Sequence, residues 1–291
     1  MSMFKLKDTI SLKDLCDAND VQFQGQNINI EGVAPAQGAE PGCLTFTGDL
    51  SEGVTGQAIV TSSITDQATL ESNGVIVSSK PRFCFVKLLT YLVNSVGFEK
   101  ENRPPVIADS AQIGPNVVIE NDCVIEDDVV IEANVVIHWG THIGKGSRIR
   151  SGATVGGDGF GFEREADGTP IRFPHLGRAI IGNYVEVGSN TTVARGTLGN
   201  TTIEDHAKVD NLVHVGHNVT IKRGALVTAC AELSGGVIVG ENAWVAPNSC
   251  THQKIIIGKN SMVGLGAVVV KDVPESTVYA GNPARKLRDL S

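Results

Sequence analysis

From Ile107 to Val155 every sixth residue is isoleucine or valine, and most are followed by a small, acidic or otherwise turn-tolerant residue. An α-helix repeats its apolar face every 3.6 residues and an ordinary strand every two, so neither accommodates this period. The register resumes at Ile181, Val187 and Val193, slips by four residues around the segment RGTLGN, and then runs from Ile203 to Val269. Thr251 is its one non-aliphatic position. One inward aliphatic, a small corner residue and a short extended stretch predict a hexapeptide parallel β-helix in which three units close a triangular coil. Its expected hand is left, an exception to the usual crossover rule. Residues eighteen apart then stack one strand spacing away, about 4.8 Å, so aliphatic lands on aliphatic. One coil buries too little to persist alone, whereas many in register make a continuous core.

Residues 1–103 follow other patterns. SLKDLCDAND reads as a short helix; QNINIEGVA, GCLTF, QAIVTS and GVIVSS read as strands. KPRFCFVKLLTYLVNSV is amphipathic, with Pro81 at its start and Ser79 as its expected cap. The expected fold is therefore mainly β: a small α/β domain over 1–103, then a left-handed β-helix over 104–273 carrying an inserted loop over 157–178, and a short tail over 274–291. The charged, proline-rich EKENRPP, Glu99 to Pro105, marks the first boundary.

A net charge of −8 and no basic run of five argue against a nucleic-acid partner. The six cysteines show no CxxC or zinc-type spacing, which suggests reduced thiols in a cytoplasm. No apolar run approaches the roughly 18 residues a transmembrane helix needs. A cytoplasmic protein without a transmembrane segment is expected.

The segment DNLVHVGHNV, Asp210 to Val219, places two histidines on the repeat. With Val215 inward, His217 falls at a corner, Gly235 lies one coil above it, and His252 lies two coils above Gly216 through Ser234. Three readings compete. A zinc site needs three convergent ligands, and the spacing of the seven histidines provides no such set, so no metal is expected. A solvated surface position suits His214. For His217 the surroundings suit acyl transfer: a neutral imidazole can take a proton from an attacking amine, and the Gly235 amide can donate to the oxyanion. Asp210 either orients the imidazole, binds substrate or is a solvated corner carboxylate. The loop segment Gly159-Phe160-Gly161 either approaches a ligand closely or belongs to an arm gripping a neighbouring subunit.

Nearly the whole chain resembles the LpxD family, the UDP-3-O-(3-hydroxyacyl)glucosamine N-acyltransferases of lipid A biosynthesis. The resemblance is carried by GVAPAQGAEPGCLTF, SGATVGGDGFGF, LGRAIIGNYVEVGSNTTVARGTL and above all DNLVHVGHNVTI. It implies His217 as general base and Gly235 as oxyanion donor, with Asp210 kept beside them as the third catalytic candidate from the spacing. Phe46 matches the aromatic that packs on the uracil of a UDP-linked amino sugar. Asn211, Asn218, His252 and the Gly159-Phe160-Gly161 segment are the remaining expected substrate contacts. The family's second active-site histidine falls at Lys254, so His252 or Lys254 takes its place. The resemblance also implies a homotrimer and an acyl thioester co-substrate, acyl carrier protein or coenzyme A, with no tightly bound cofactor. The end of the chain, with AGNPA, is instead similar to acetyl-CoA-dependent sugar acetyltransferases. That alternative acetylates a nucleotide-linked amino sugar for O-antigen or capsule, and a non-catalytic trimeric scaffold is a third.

Overall fold

The computed structural model describes residues 3–47, 55–64 and 67–290. They form two compact units, one holding the chain up to Lys100 with Gly161–Leu176, the other holding Glu101–Phe160 and the chain from Gly177 onward. The loop expected over 157–178 is thus divided, its middle grouping with the first unit.

In the first unit, β1 (Phe4–Ser11) leads into α1 (Leu12–Ala18). Ser11 Oγ accepts the Asp14 N–H at 3.1 Å, satisfying a donor that the first helical turn leaves unpaired. The strands β2 (Gln24–Gly25), β3 (Asn29–Val33), β4 (Cys43–Phe46), β5 (Ala58–Thr61) and β6 (Gly74–Val77) join β1 in one sheet of order β1-β3-β4-β5-β6-β2. Its central strands β3 to β6 pair in parallel, and all four residues of β5 are buried, as a strand covered on both faces requires. Between β5 and β6 lies α2 (Gln67–Ser72), and after β6 comes α3 (Pro81–Tyr91). Lys80, rather than Ser79, occupies the α3 cap position, and no side chain caps it. Pro81 at the first helical position lacks an N–H that the helix would leave unused.

The inserted hairpin, Phe162–Arg164 against Pro170–Arg172, packs within this unit through Phe173. That ring lies 6.0 Å from Phe85 and 6.4 Å from Phe46, under the Arg82 guanidinium at 5.3 Å. Arg82 also pairs with Glu163 of the hairpin.

The second unit is a parallel β-helix. Its coil strands are two to four residues long and fall into three sheets, one per face, parallel throughout except for the antiparallel edge strand Arg285–Asp289. Ile125 pairs with Ile143, Val227 with Val245 and Val215 with Leu233, each eighteen positions on. Across the RGTLGN slip the interval becomes twenty-two, with Ile181 on Ile203 and Val193 on Val215, so the extra residues bulge while the column continues. Ile125, Ile143, Ile181, Ile203, Ile221, Val239 and Ile257 stack in one column at no more than 1% exposure. Each such burial contributes about 1.5–3 kcal/mol. In the first coil Ile107 and Ile113 are 39% and 41% exposed, since no coil of the solenoid lies beneath them.

Of the segment 274–291, expected as a tail, the described residues continue the stack. Thr277–Ala280 pairs in parallel with Met262 and Val263, and Arg285–Asp289 folds back antiparallel onto it. Among the described residues no helix is long and apolar enough to cross a membrane. All six cysteines are free thiols.

Corners require a residue in the left-handed region. Asn, Asp and Gly fill most of them, as at Asn116, Asp122 and Gly146, because their side chains tolerate that backbone at least cost. Cys230 is exposed and adopts φ 60° at such a corner, carrying strain of roughly 1 kcal/mol. Cys230→Asn is expected to raise the thermal unfolding midpoint by about 2–4 °C; an unchanged or lower midpoint in calorimetry would refute this account of the corner.

Candidate active site

Val215 is fully buried, so the preceding His214 points outward from the same short strand and the chain turns its corner at His217-Asn218. Both histidines line one groove of about 430 Å³ with Phe160, Gly216, Glu232, Ser234, Gly235, Thr251, His252 and Gln253. His214 Nδ1 meets Thr192 Oγ1 at 2.9 Å, so the residue read as a solvated surface histidine is part of the groove wall.

The corner determines which nitrogen of His217 bears its proton. Asn218 Oδ1 accepts the Thr197 backbone N–H at 3.1 Å and the Thr197 hydroxyl at 2.8 Å. A backbone N–H can only donate, so the atom facing it is the amide oxygen. That same oxygen lies 3.0 Å from His217 Nδ1, which must therefore donate, leaving the lone pair of the neutral ring on Nε2. Thr201 Oγ1 accepts the Asn218 N–H at 2.8 Å and pins the corner from the other side. Thr197 comes from the slipped RGTLGN segment and Thr201 follows it directly. The break in the repeat thus supplies the residues that orient the imidazole.

Gly235 lies against the face of that ring. A Cβ at Gly235 would stand 2.6 Å from His217 Cε1 and 2.7 Å from Nε2, closer than any side-chain carbon can approach. The glycine is required by close approach. Among the described residues its own N–H meets no acceptor. One coil on, Thr251 interrupts the aliphatic column: its buried Oγ1 accepts the Ser234 N–H at 3.0 Å and donates to Glu232 O at 3.3 Å. His252 lines the groove with Nδ1 3.1 Å from the Gln253 carbonyl, while Lys254 takes the corner position at φ 62°.

Not every expected residue joins this groove. Asp210 and Asn211 lie at the preceding corner and line a separate cleft of about 270 Å³ with Arg150, Glu186 and Lys208. Within one chain Asp210 does not orient His217, because its two carboxylate oxygens accept the Asn211 and Ala229 N–H groups at 2.7 and 3.2 Å. Asn218 holds the orienting place instead. Phe160 lines the histidine groove, is 87% exposed and belongs with Gly159 to the solenoid unit, whereas Gly161 belongs to the first unit. Phe46, half-buried, stacks within the first unit at 4.7 Å from Phe85.

The sequence reading did not single out Arg195. Its buried guanidinium donates through Nε to Gly156 O at 2.6 Å and through Nη2 to Trp139 O at 3.0 Å. Its backbone N–H bonds Gly157 O at 2.8 Å. Burial lowers its pKa, opposed by Asp158, whose Oδ1 is 3.7 Å away, and by Glu120. This clamp holds the chain three residues ahead of Phe160. A signal for it existed in the arginine that ends the aliphatic run at Val193-Ala194, but only the coil below shows what it binds.

Asn218→Ala removes the acceptor for Nδ1–H and is expected to lower kcat by roughly tenfold to a hundredfold, a part of what a general base contributes. Asn218→Asp keeps an acceptor for all three donors and is expected to retain more activity than the alanine variant. The reverse order in steady-state kinetics would count against the orienting role.

The model of the family described as bacterial transferase hexapeptide (six repeats) matches residues 104–138. The UDP-3-O-acylglucosamine N-acyltransferase of Cupriavidus metallidurans is 31% identical, the match covering 91% of this chain and 83% of that one. Its counterpart from Cupriavidus pinatubonensis is 30% identical over 91% of this chain and 84% of its own. Among solved structures, Francisella novicida UDP-N-acetylglucosamine acyltransferase superposes with a TM-score of 0.58 at 27% identity, covering 63% of this chain and 66% of that one. Full-length similarity at this level, together with a hexapeptide β-helix that stacks an imidazole on a glycine in an open groove, places the chain in the UDP-3-O-acylglucosamine N-acyltransferase family.

Proposed function

We propose that this protein transfers an acyl group from a thioester to the amine of a UDP-linked glucosamine, and that His217 and Gly235 carry the chemistry. The observation supporting this most directly is the imidazole of defined tautomer lying on the Gly235 backbone. As the neutral amine attacks the thioester carbonyl, His217 Nε2 takes its proton. The carbonyl electrons move onto oxygen, where the Gly235 N–H donates to the developing charge. Collapse of the tetrahedral intermediate breaks the carbon–sulfur bond, and the imidazolium returns its proton to the departing thiolate. The products are an amide and a free thiol. Direct attack by the amine, without an acyl-enzyme, is proposed.

The donor is acyl carrier protein or coenzyme A acting as a co-substrate, with no tightly bound cofactor. Phe46, His252 and the Gly159-Phe160-Gly161 segment are proposed to hold the sugar nucleotide. The protein would act as a cytoplasmic homotrimer, with Asp210 and Asn211 meeting substrate from their own cleft. A second reading, coenzyme-A-dependent acetylation, draws on the ending AGNPA, where Thr277–Ala280 and the buried Ala284 close the last coil.

Incubation with UDP-3-O-acylglucosamine and either a 3-hydroxyacyl carrier protein or acetyl-CoA separates the two. Amide formation with the carrier protein is expected, falling about 10²–10⁴-fold in His217→Ala with the thermal midpoint unchanged. Turnover with acetyl-CoA alone would retire the longer-chain reading, and an active His217→Ala would remove the base assignment.

A further inference from the structure

Acidic side chains cap some of the corner amides in this solenoid. At five corners the backbone N–H two residues past the inward aliphatic donates to a carboxylate nineteen positions earlier, on the coil below. Glu120 caps Trp139, Glu126 caps Lys145, Glu132 caps Ser151, Glu204 caps Arg223 and Asp210 caps Ala229, at 2.7 to 3.2 Å. These are charge-assisted bonds, stronger than neutral ones. Gly235 occupies the same corner place, and the residue in its capping slot is Gly216. A Cβ at Gly216 would stand 2.7 Å from Leu233 O and 2.9 Å from Gly235 N, so the coil above must shift to admit a side chain, and an acidic one admitted there would lie beside that amide.

We infer that Gly216 is a positioning residue for acyl transfer: by lacking a side chain it withholds such a cap and leaves the Gly235 N–H available to the reaction. This rests on the proposed acyl transfer. Among the described residues the same N–H also meets no acceptor at Ala133, Asp205, Glu241, Gln253, Lys259 and Leu265; Gly235 differs in carrying His217 on its face. A carboxylate at 216 would do two kinds of harm. It would occupy the donor meant for the oxyanion, and it would set a negative charge where negative charge must develop. It would also favour the protonated imidazole of His217, the form that cannot accept a proton.

The test compares Gly216→Asp with Gly216→Ala, which adds the carbon without an acceptor, and with Gly240→Asp. Gly240 occupies the equivalent slot below Lys259, where a Cβ would meet Lys259 N at 2.6 Å, outside the groove. Gly240→Asp meets the same kind of backbone crowding and is expected to lower the thermal midpoint without lowering kcat, which isolates what the crowding alone costs. Gly216→Asp is expected to lose about 10²-fold or more in kcat. Its affinity for UDP-3-O-acylglucosamine, measured by calorimetry, should stay within a few-fold, and the acid limb of its pH profile should move upward. Gly216→Ala should lose under tenfold. Should Gly216→Asp fail to fold, Gly216→Asn presents the same acceptor oxygen without charge and should again fall well below the alanine variant. Acidic or amide variants as active as Gly216→Ala would overturn the inference. His217→Ala assayed alongside separates the two claims: inactive His217→Ala with active Gly216→Asp sinks this inference alone, whereas active His217→Ala sinks the reaction it rests on.

Discussion

The structure depends on vertical stacking of aliphatic side chains one strand spacing apart. Backbone hydrogen bonds hold coil to coil, but every polypeptide can make them. The buried columns, such as Ile125 through Ile257, select this register over any other, because a shift by one residue would turn each aliphatic outward. That constraint fixes the height and direction of everything on the surface. His217 and Gly235 meet because Val215 and Leu233 are stacked beneath them.

A rigid repeat also makes its exceptions informative. The four added residues around RGTLGN leave the column intact, since Val193 still pairs with Val215, and place Thr197 beside Asn218. Thr251 substitutes a hydroxyl for an aliphatic in the groove wall and takes up the Ser234 N–H. Gly216 leaves empty a slot that acidic residues fill at other corners. All three exceptions border the same groove. A repeat in which each unit satisfies its neighbours has no chemistry to spare, and reactive groups arise where a partner is withheld.

Much of this was legible in the sequence. The six-residue period identifies the β-helix, and counting eighteen from His217 reaches Gly235. The same counting could not assign Asp210. It lies seven residues before His217, and only the folded chain shows it at another corner with both oxygens bonded to backbone amides. Ser79 resembled a helix cap, yet the cap falls at Lys80, because proline at the first helical turn reduces what a cap must satisfy. The segment after Val269 loses the period of six, since the next residue stacked on Val263 is Tyr279, sixteen positions on, so its spacing gave no sign that it pairs with the last coil.

The sequence by itself determined the architecture and the pairing of imidazole with glycine, because in a solenoid linear spacing translates directly into height and face. The tertiary structure alone decided the tautomer of His217, the role of Asn218, the clamp at Arg195 and the availability of the Gly235 N–H. Each depends on a contact between groups nineteen to fifty-six residues apart, or on a side chain meeting a neighbouring coil. Periodicity specifies which coil lies above another; it does not specify which donor finds which acceptor once both are there.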